Sequence, residues 1–367
     1  MLLLTAVREA LLGPLQSVSG IVEKRHTMPI LSNVLIDKKA DALTLLATDI
    51  EIQIRTHGNA SGGEDASLTV GARKLQDILR ALPEATEVSF KLDGNRLSLH
   101  AGKSRFQLQT LPATDYPRMQ FNEEEAIRIV VSQKSFKSQL AQVSYAMAAQ
   151  DIRYYLNGLL MVVEGGELRM VATDGHRLGF ASAGIEGDFS KTEVILPRKT
   201  VLELLRQLGD TDEPLEISLS GNQARFSFGP IELITKLIDG KFPDYERVIP
   251  KNHPKLVVLS RQALLAALQR VAILTNEKFR GVRIVLSPGS LKIMSTNAEQ
   301  EEAQEELEVD YSGEGVDTGF NVTYLLDVLT NNSVDQIELH LNDGSASVLF
   351  TLPGNENFKY VVMPMRI

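Results

Sequence analysis

The chain has 367 residues, of which 43% are hydrophobic and 23% charged, as is usual for a soluble globular protein of two or three domains. It contains no cysteine, which excludes disulfides, thiolate metal sites and a cysteine nucleophile, and its net charge of −9 argues at first against a nucleic-acid partner. No apolar run reaches the ~20 residues that cross a bilayer, and charge follows the N-terminal leucines at Arg8 and Glu9. We therefore expect a cytoplasmic protein with neither a membrane span nor a secretory signal.

Apolar positions three and four residues apart predict six helices in two series. The first series covers residues 5–22, 132–148 and 260–275, and the second covers residues 72–82, 197–208 and 321–332. Ser132 and Pro197 are residue types that start helices, whereas Gly13-Pro14 weakens or kinks the first helix. Between the helices, alternating segments predict strands, with tight hairpins at Asp93-Gly94-Asn95, Ser220-Gly221-Asn222 and Asn342-Asp343-Gly344.

These landmarks occur three times in the same order. Ala47-Thr48-Asp49 recurs as Ala172-Thr173-Asp174 after 125 positions and as Ser295-Thr296-Asn297 after a further 123. We predict an α+β fold of three tandem copies, each with two helices and about eight short strands, as domains 1–125, 126–252 and 253–367. A unit of this length can bury its own core, which disfavours a solenoid or a propeller.

Positive charge is concentrated on the predicted helices. The six segments together carry +7, so the rest of the chain carries −16. If the helices share one surface, that surface is basic and suits the phosphates of duplex DNA. The alternative is that these are ordinary solvated helix faces. Zinc-finger spacing and a basic region leading into heptads are both lacking, so any DNA contact would be independent of sequence.

Five longer motifs carry a family resemblance: QDIRYYLNG (150–158), VATDGHRL (171–178), DGKFPDYERVIPKN (239–252), NEKFRGVR (276–283) and VVMPMRI (361–367). Together they resemble the bacterial DNA polymerase III beta subunit from end to end. The resemblance implies a sliding clamp in which two chains close head to tail into a ring, with helices lining the hole and sheets outside. It implies a non-enzymatic, cofactor-free subunit that encircles duplex DNA. The implied partners are the replicative polymerase, the clamp loader, and other polymerases and repair proteins that carry short linear motifs.

The resemblance also assigns residues to DNA: Arg25, Arg73, Gln150, Arg153, Tyr154, Tyr155 and Lys199. Adjacent aromatics at the start of a strand are also common packing residues, so this alternative stays open for the tyrosine pair. Glu23-Lys24 stands before Arg25 where the family pattern is glycine-rich, which leaves the contacts of this loop open.

A head-to-tail interface needs two different complementary surfaces. Residues 299–308 hold six glutamates, whereas Lys103 and Arg105 flank an alternating strand. The resemblance pairs these regions around an apolar centre, through Lys74, Lys103, Arg105, Phe106 and Leu108 on one side and Ile273, Leu274, Glu299, Glu301, Glu302 and Glu305 on the other. The alternative for the glutamates is a solvated strand face.

The resemblance places client motifs in an apolar cleft between the second and third repeats. The matching residues are Leu156, Thr173, Gly175, His176, Arg177, Leu178, Pro243, Arg247, Val248, Asn321, Tyr324, Val361, Val362, Met363, Pro364, Met365 and Arg366. Methionine suits such a site because its flexible thioether adapts to different partners. Val361 and Val362 also fit a core strand. Ile367 and residues 344–347 depart from the family pattern.

Two other classes of function compete with a clamp. A catalytic or metal cluster of Asp174, His176 and Arg177 is disfavoured, because the third repeat has STNAEQEE there and no second histidine stands at ligand spacing. Phosphate-binding glycine motifs are also lacking. A scaffold that binds peptides but not DNA stays open, and only its indifference to DNA topology would distinguish it.

Overall fold

The computed structural model describes residues 1–23 and 28–366. The chain forms two compact units, one made of Met1–Lys134 and Arg206–Leu237 and the other of Ser135–Leu205 and Ile238–Ile367. The second repeat is therefore divided, with its outer strands in the first unit and its long central strands in the second. The compact units do not coincide with the repeats read from the sequence.

The first and third copies run strand, helix, four strands, helix and three strands, whereas the second has two long strands between its helices. The first copy contains β1 (Leu2–Val7), α1 (Arg8–Ser19), β2 (Asn33–Lys39), β3 (Ala42–Thr48), β4 (Ile52–Asn59), β5 (Ala66–Gly71), α2 (Ala72–Ala81), β6 (Glu87–Asp93), β7 (Arg96–Ala101) and β8 (Ser104–Pro112). The second contains β9 (Ile127–Ser132), α3 (Gln133–Val143), β10 (Gly158–Thr173), β11 (Arg177–Pro197), α4 (Arg198–Gln207), β12 (Pro214–Ser220), β13 (Gln223–Phe228) and β14 (Ile231–Lys236). The third contains β15 (Lys255–Ser260), α5 (Arg261–Val271), β16 (Gly281–Ser287), β17 (Ser290–Thr296), β18 (Glu302–Glu308), β19 (Val316–Asn321), α6 (Val322–Thr330), β20 (Gln336–Leu341), β21 (Val348–Leu352) and β22 (Asn355–Val362).

Short 3₁₀ segments occupy Pro29–Ser32, Ala113–Asp115, Ser144–Ala146, Tyr154–Leu156, Tyr245–Arg247 and Ala272–Leu274. The first and third copies have the predicted eight strands. In the second copy, β10 and β11 each continue through what are two strands elsewhere, and their pairing shifts register between Val163 and Glu167. A bulge at Gly165 takes up this shift, because its φ of +55° suits glycine.

All six predicted helices are present, which confirms the two series, although their ends differ. The predicted start of the first helix was wrong, because Leu2–Val7 pairs with β6 as a strand. Ser132 and Pro197 are the last residues of β9 and β11, and the helices begin one residue later. Pro14 lies inside α1.

The helix starts show the repeat at atomic detail. The first helical N–H donates to the carbonyl just before the strand that follows the second helix of its copy, from Arg8 to Thr86 (2.8 Å), from Gln133 to Glu213 (2.9 Å) and from Arg261 to Asp335 (2.9 Å). One backbone contact thus fixes the first helix of each copy against its sheet.

Two of the three predicted hairpins are confirmed. Gly94-Asn95 joins β6 to β7 and Gly221-Asn222 joins β12 to β13, and both glycines have a positive φ near +55°. The third was wrong, because residues 342–347 form a longer loop between β20 and β21. There Asp343 Oδ1 accepts hydrogen bonds from the amides of residues 345 (2.8 Å) and 346 (3.1 Å), which uses the aspartate as a turn cap.

Neighbouring copies are joined by strand pairing. The first unit holds a twelve-stranded sheet, ordered β1-β6-β7-β8-β5-β2-β3-β4-β14-β13-β12-β9, in which β4 pairs with β14. The second unit holds a six-stranded sheet, β10-β11-β22-β21-β20-β15, in which β11 pairs with β22, and a four-stranded sheet, β18-β17-β16-β19. When β10 and β11 are each counted as the two strands that they replace, the fourth strand of one copy pairs antiparallel with the last strand of the next at both junctions; in the second copy this strand is residues 177–181 of β11.

Candidate functional site

An apolar pocket of about 210 Å³ lies in the second unit beside the junction of β11 and β22. It sits on a buried cluster that includes Leu160, Val171, Phe180 and Leu349. Four segments form its wall: the 3₁₀ turn at 154–156, the turn between β10 and β11, residues 243–248, and the end of β22. The lining residues are Arg153, Tyr155, Leu156, Thr173, Gly175, Arg177, Leu178, Pro243, Tyr245, Val248, Val361 and Met363.

The turn between β10 and β11 is built by side chains that bond to its own backbone. The Thr173 hydroxyl donates to the Arg177 carbonyl (2.6 Å) and accepts from the Gly175 amide (3.0 Å). Asp174 Oδ1 accepts from the amides of His176 (2.9 Å) and Arg177 (3.1 Å). These bonds fix the mouth of the pocket without help from a ligand.

The same turn occurs in the other two copies. Asp49 Oδ1 accepts from the amides of Glu51 and Ile52, both at 2.9 Å. In the third copy Asn297 Oδ1 accepts from the amides of Glu299 (3.0 Å) and Glu301 (2.9 Å). Asn297 cannot ionise and yet accepts the same kind of backbone hydrogen bonds as the two aspartates. The shared role of this position is therefore to cap a turn. In residues 1–23 and 28–366, no group of three or more histidines and carboxylates is placed to hold a metal.

Arg177 fixes the inner wall of the pocket. Its guanidinium donates to Asp174 Oδ2 (3.1 Å), to Asp327 Oδ2 and to the Tyr145 carbonyl (2.5 Å), and it stacks 4.5 Å from the Tyr324 ring centre. Burial opposes its charge, but Tyr360 and these carboxylates hold the pKa of Arg177 above its ordinary value. The network ties the turn to α6.

Nine of the seventeen residues expected in the cleft line this pocket: Leu156, Thr173, Gly175, Arg177, Leu178, Pro243, Val248, Val361 and Met363. The other eight lie around it in different roles. The carbonyl of His176 accepts from the Met363 amide (2.9 Å), and the Met365 amide donates to Gly319 (2.8 Å), which anchors the tail. Pro364 is half-buried, Arg366 is exposed and Val362 is fully buried in β22.

The remaining three expected cleft residues belong to the surrounding elements. Asn321 caps α6, with its Oδ1 accepting from the Thr323 amide (2.9 Å). Tyr324 stacks on Arg177. The side chain of Arg247 is 87% exposed and pairs with Asp244 (2.9 Å), so its place is at the rim.

Sequence reasoning missed Tyr245 as a wall residue. Its ring packs 6.0 Å from that of Phe180, and burial raises the pKa of its hydroxyl against the opposing effect of a hydrogen bond with Arg169. The sequence signal that could have identified it is the tyrosine within the motif at 239–252. Arg153 and Tyr155, which were expected on the DNA surface, also line the pocket.

Arg25, which is expected to bind DNA, lies outside the described residues. The other six expected DNA-binding residues lie on α2, on α4 and in the segment 150–155. Arg73 is exposed on α2 and donates to the Val22 carbonyl (3.1 Å), and Lys199 is half-buried on α4. Gln150 is exposed in the left-handed region (φ +60°), and Tyr154, 58% exposed, packs edge-on against Tyr155 at 5.9 Å.

Part of the positive charge of the helices is committed within the chain. Arg8 Nε donates to the Leu79 carbonyl (2.6 Å) and Arg261 Nη1 to the Leu329 carbonyl (2.7 Å), so each holds the end of the second helix of its copy. Arg270 forms a two-point ion pair with Glu305 at 2.7 Å. The charge counted from the sequence therefore overstates what the helices can offer DNA.

The residues expected at a chain–chain interface lie on or beside two sheet edges. Lys103, Arg105, Phe106 and Leu108 lie at β8, whose residues 104–109 pair, within the described chain, only with β7. Lys74 is exposed on α2. The described β18 pairs only with β17, and its edge carries exposed Glu302; Glu299 and Glu301 precede it, with Glu301 bonded to Asn297 (2.6 Å).

Two apolar residues and one glutamate complete that set. Ile273 is 77% exposed and Leu274 is half-buried, both in the 3₁₀ turn after α5. Glu305 faces α5, where Arg270 lowers the pKa of its carboxyl through the hydrogen bonds between them. Glu305 is thus occupied within its own chain.

Three copies of one α+β unit, joined by pairing of the fourth and last strands, define a three-domain clamp fold. Residues 2–120, 130–244 and 246–366 match in turn the N-terminal, central and C-terminal domains of the DNA polymerase III beta subunit. The chain belongs to this family. It is a DNA sliding clamp of replication, a non-catalytic processivity subunit of the polymerase.

Individual relatives match along their whole length. The beta sliding clamp of Pseudomonas putida is 47% identical over 369 residues, and that of Escherichia coli K12 is 44% identical over 364, each covering 99% of both chains. The crystal structure of the Pseudomonas aeruginosa beta subunit superposes with a TM-score of 0.95 at 45% identity, over 100% of both chains. A second P. aeruginosa clamp, bound to griselimycin, gives the same TM-score, identity and coverage. Among the described residues, no helix combines the length and apolarity needed to span a membrane.

Proposed function

We propose that two copies of this chain close head to tail into a ring around duplex DNA. The observation that carries the proposal is the pairing rule of the junctions. The fourth strand of the first copy takes the last strand of the second, and the fourth strand of the second takes the last strand of the third. The same rule leaves the fourth strand of the third copy, β18, to pair with the last strand of a first copy, β8, from another chain.

The existing junctions predict the register of that pairing. In the first junction Ile54 lies opposite Leu233, and Arg55 lies opposite Glu232, with which it forms an ion pair (3.0 Å). Matching strand positions across the copies brings Ala303 opposite Phe106 and Gln304 opposite Arg105. Ala303 and Phe106 are both half-buried, whereas Gln304 and Arg105 are both exposed, so the two faces agree.

Cysteine cross-linking tests the register, because the chain has no native cysteine. The pair Phe106→Cys with Ala303→Cys places two thiols directly opposite each other and should give a covalent dimer under mild oxidation. The matched control, Arg105→Cys with Ala303→Cys, differs by one residue and turns one thiol to the other face. Equal cross-linking of both pairs, or none with the first, would contradict the register.

We further propose that the ring holds DNA by topology, and that exposed cations such as Arg73 make only weak contacts with the phosphates. Weak, screened contacts allow sliding, whereas a closed ring prevents escape. The clamp should remain on nicked circular DNA after loading and be lost when the DNA is linearised. A scaffold that binds only peptides would show no difference between the two forms.

The pocket is the proposed docking site for clients, which we take to be the polymerase catalytic subunit, the clamp loader, and other polymerases and repair proteins. Its apolar wall with a few polar groups at the mouth suits an apolar peptide anchor. Griselimycin is the practical probe, since a related clamp binds it. Removing residues 363–367 takes Met363 from the wall and should abolish griselimycin binding while cross-linking of the ring persists. Retained binding would place the site elsewhere.

The three repeats, bounded as 1–125, 126–252 and 253–367, are the proposed domains of this clamp. The bacterial cytoplasm, where the chromosome is replicated, is its proposed compartment.

A further inference from the structure

Residues 150–155 form one short, largely exposed segment beside the pocket. Gln150, Ile152 and Tyr154 are exposed, and Ile152 is 97% accessible. Arg153, which is also exposed, and the half-buried Tyr155 line the pocket. The segment expected to meet DNA is therefore also a wall of the proposed client site.

The Arg153 guanidinium covers the mouth of that pocket. It donates to the Asp174 carbonyl (3.2 Å), and its two terminal nitrogens lie 3.1 and 3.2 Å from where a Cβ on Gly175 would stand. Gly175 has a φ of +90°, a backbone conformation that favours glycine, and the absence of a side chain there leaves room for the Arg153 guanidinium. The position of Arg153 thus sets the shape of the mouth.

Arg153 is held there by the half-buried carboxylate of Asp151. Its Nε donates to Asp151 Oδ1 (3.0 Å) and its Nη2 to Asp151 Oδ2 (2.8 Å). These hydrogen bonds lower the pKa of Asp151 to about 2. A phosphate offers the same two-oxygen geometry as this carboxylate, so it can replace Asp151 without any change in the guanidinium fork.

We propose that duplex DNA and a pocket ligand compete for Arg153, so that each weakens the binding of the other. A phosphate that takes the guanidinium withdraws it from Asp174 and Gly175 and leaves the Asp151 carboxylate uncompensated at the mouth. A ligand bound in the pocket holds the guanidinium in place, so that the guanidinium is not available to bind the phosphate. The inference rests on the proposed DNA and client sites, and it adds that they share one side chain.

The test measures both affinities on the full-length protein. Labelled griselimycin is titrated with and without a saturating blunt-ended duplex, and the duplex is titrated with and without griselimycin. We expect the Kd of griselimycin to rise at least threefold with duplex, and the Kd of the duplex to rise by the same factor, as linkage requires. Binding of both ligands with independent or mutually strengthened affinities would overturn the inference and leave the proposed function intact. Failure of the duplex to bind would instead count against the proposed function.

Two variants assign the competition to Arg153. Arg153→Gln should bring the coupling factor close to one. The matched control, Lys199→Gln, removes another cation of the proposed DNA surface that does not line the pocket, so it should weaken duplex binding and keep the wild-type coupling. Coupling that persists in Arg153→Gln would show that another group carries it. The wild-type titrations alone decide whether the two ligands compete, and their result holds even if Arg153→Gln misfolds.

Discussion

Reversing the charge of Arg105 tests whether β8 and β18 of different chains pair in the register set by the junctions. In that register Arg105 faces Gln304, with Glu302 and Glu306 as its diagonal neighbours. A favourable cross-strand charge pair contributes about 0.5 kcal/mol, and like charges cost a similar amount. Arg105→Glu turns two attractions into two repulsions, which costs about 2 kcal/mol per interface. Separation of a ring breaks two interfaces, so the dimer should weaken by about 4 kcal/mol, or roughly a thousandfold in Kd.

Sedimentation equilibrium over a concentration series at low salt measures this change directly. Lys91→Glu, the same charge change at an exposed position of the inner strand β6, is the control and should leave the dimer unaltered. Adding Glu302→Arg to Arg105→Glu should recover part of the loss. An Arg105→Glu protein with the wild-type Kd would refute the register. An effect that does not shrink in high salt would refute its electrostatic cause.

Three further changes test other parts of the molecule. Arg177→Met leaves two carboxylates without their partner and should lower the free energy of unfolding by about 3 kcal/mol, measured with denaturant, whereas a loss below about 0.5 kcal/mol would contradict the network. Burial lowers the pKa of His340, so the unfolded chain takes up the proton more readily and stability should fall as pH drops below about 6.5. His340→Gln should flatten that dependence in unfolding curves between pH 7 and 5, and an unchanged slope would assign it to other groups. Arg73→Gln should reduce the salt dependence of duplex binding by about one phosphate contact, and an unaltered slope would place Arg73 away from DNA.

The repeated fold could be read from the sequence because each copy repeats its own turn and helix signals. The failures arose where tertiary pairing overrides a local pattern. Leu2–Val7 continues the helical spacing of α1, yet it has β6 as a partner and becomes a strand. Asn342-Asp343-Gly344 has hairpin composition, but Asp343 caps a wider loop. The merging of four strands into β10 and β11 depends on long-range register, which composition does not encode.

The sequence predicted which chain segments form the candidate site, but not which side chains within them contact each other. Sequence spacing cannot show which cationic side chains already form ion pairs within the chain. Arg270 was counted toward the basic helix surface and Glu305 toward the chain–chain interface, yet these two residues, 35 positions apart, pair with each other. Arg153 matched a DNA-binding pattern, whereas its distance to Gly175 becomes visible only when the turn is folded. Tyr245 lies inside the motif at 239–252, but only packing against Phe180 identifies it as pocket wall.

One substitution between copies explains why the second junction offers a pocket. At the first junction Gln53 occupies the strand position that Leu178 has at the second. The side-chain amide of Gln53 accepts a hydrogen bond from the Met119 N–H (2.8 Å) and donates one to the Met119 carbonyl (3.4 Å). These two bonds hold the segment around Met119 against the strand. Leu178 offers no such bonds, and it lines the pocket together with Tyr245 and Val248 of the matching segment. The same junction thus holds the following segment by side-chain hydrogen bonds in one place and offers an apolar pocket in the other, because Leu178 stands where Gln53 bonds to a backbone.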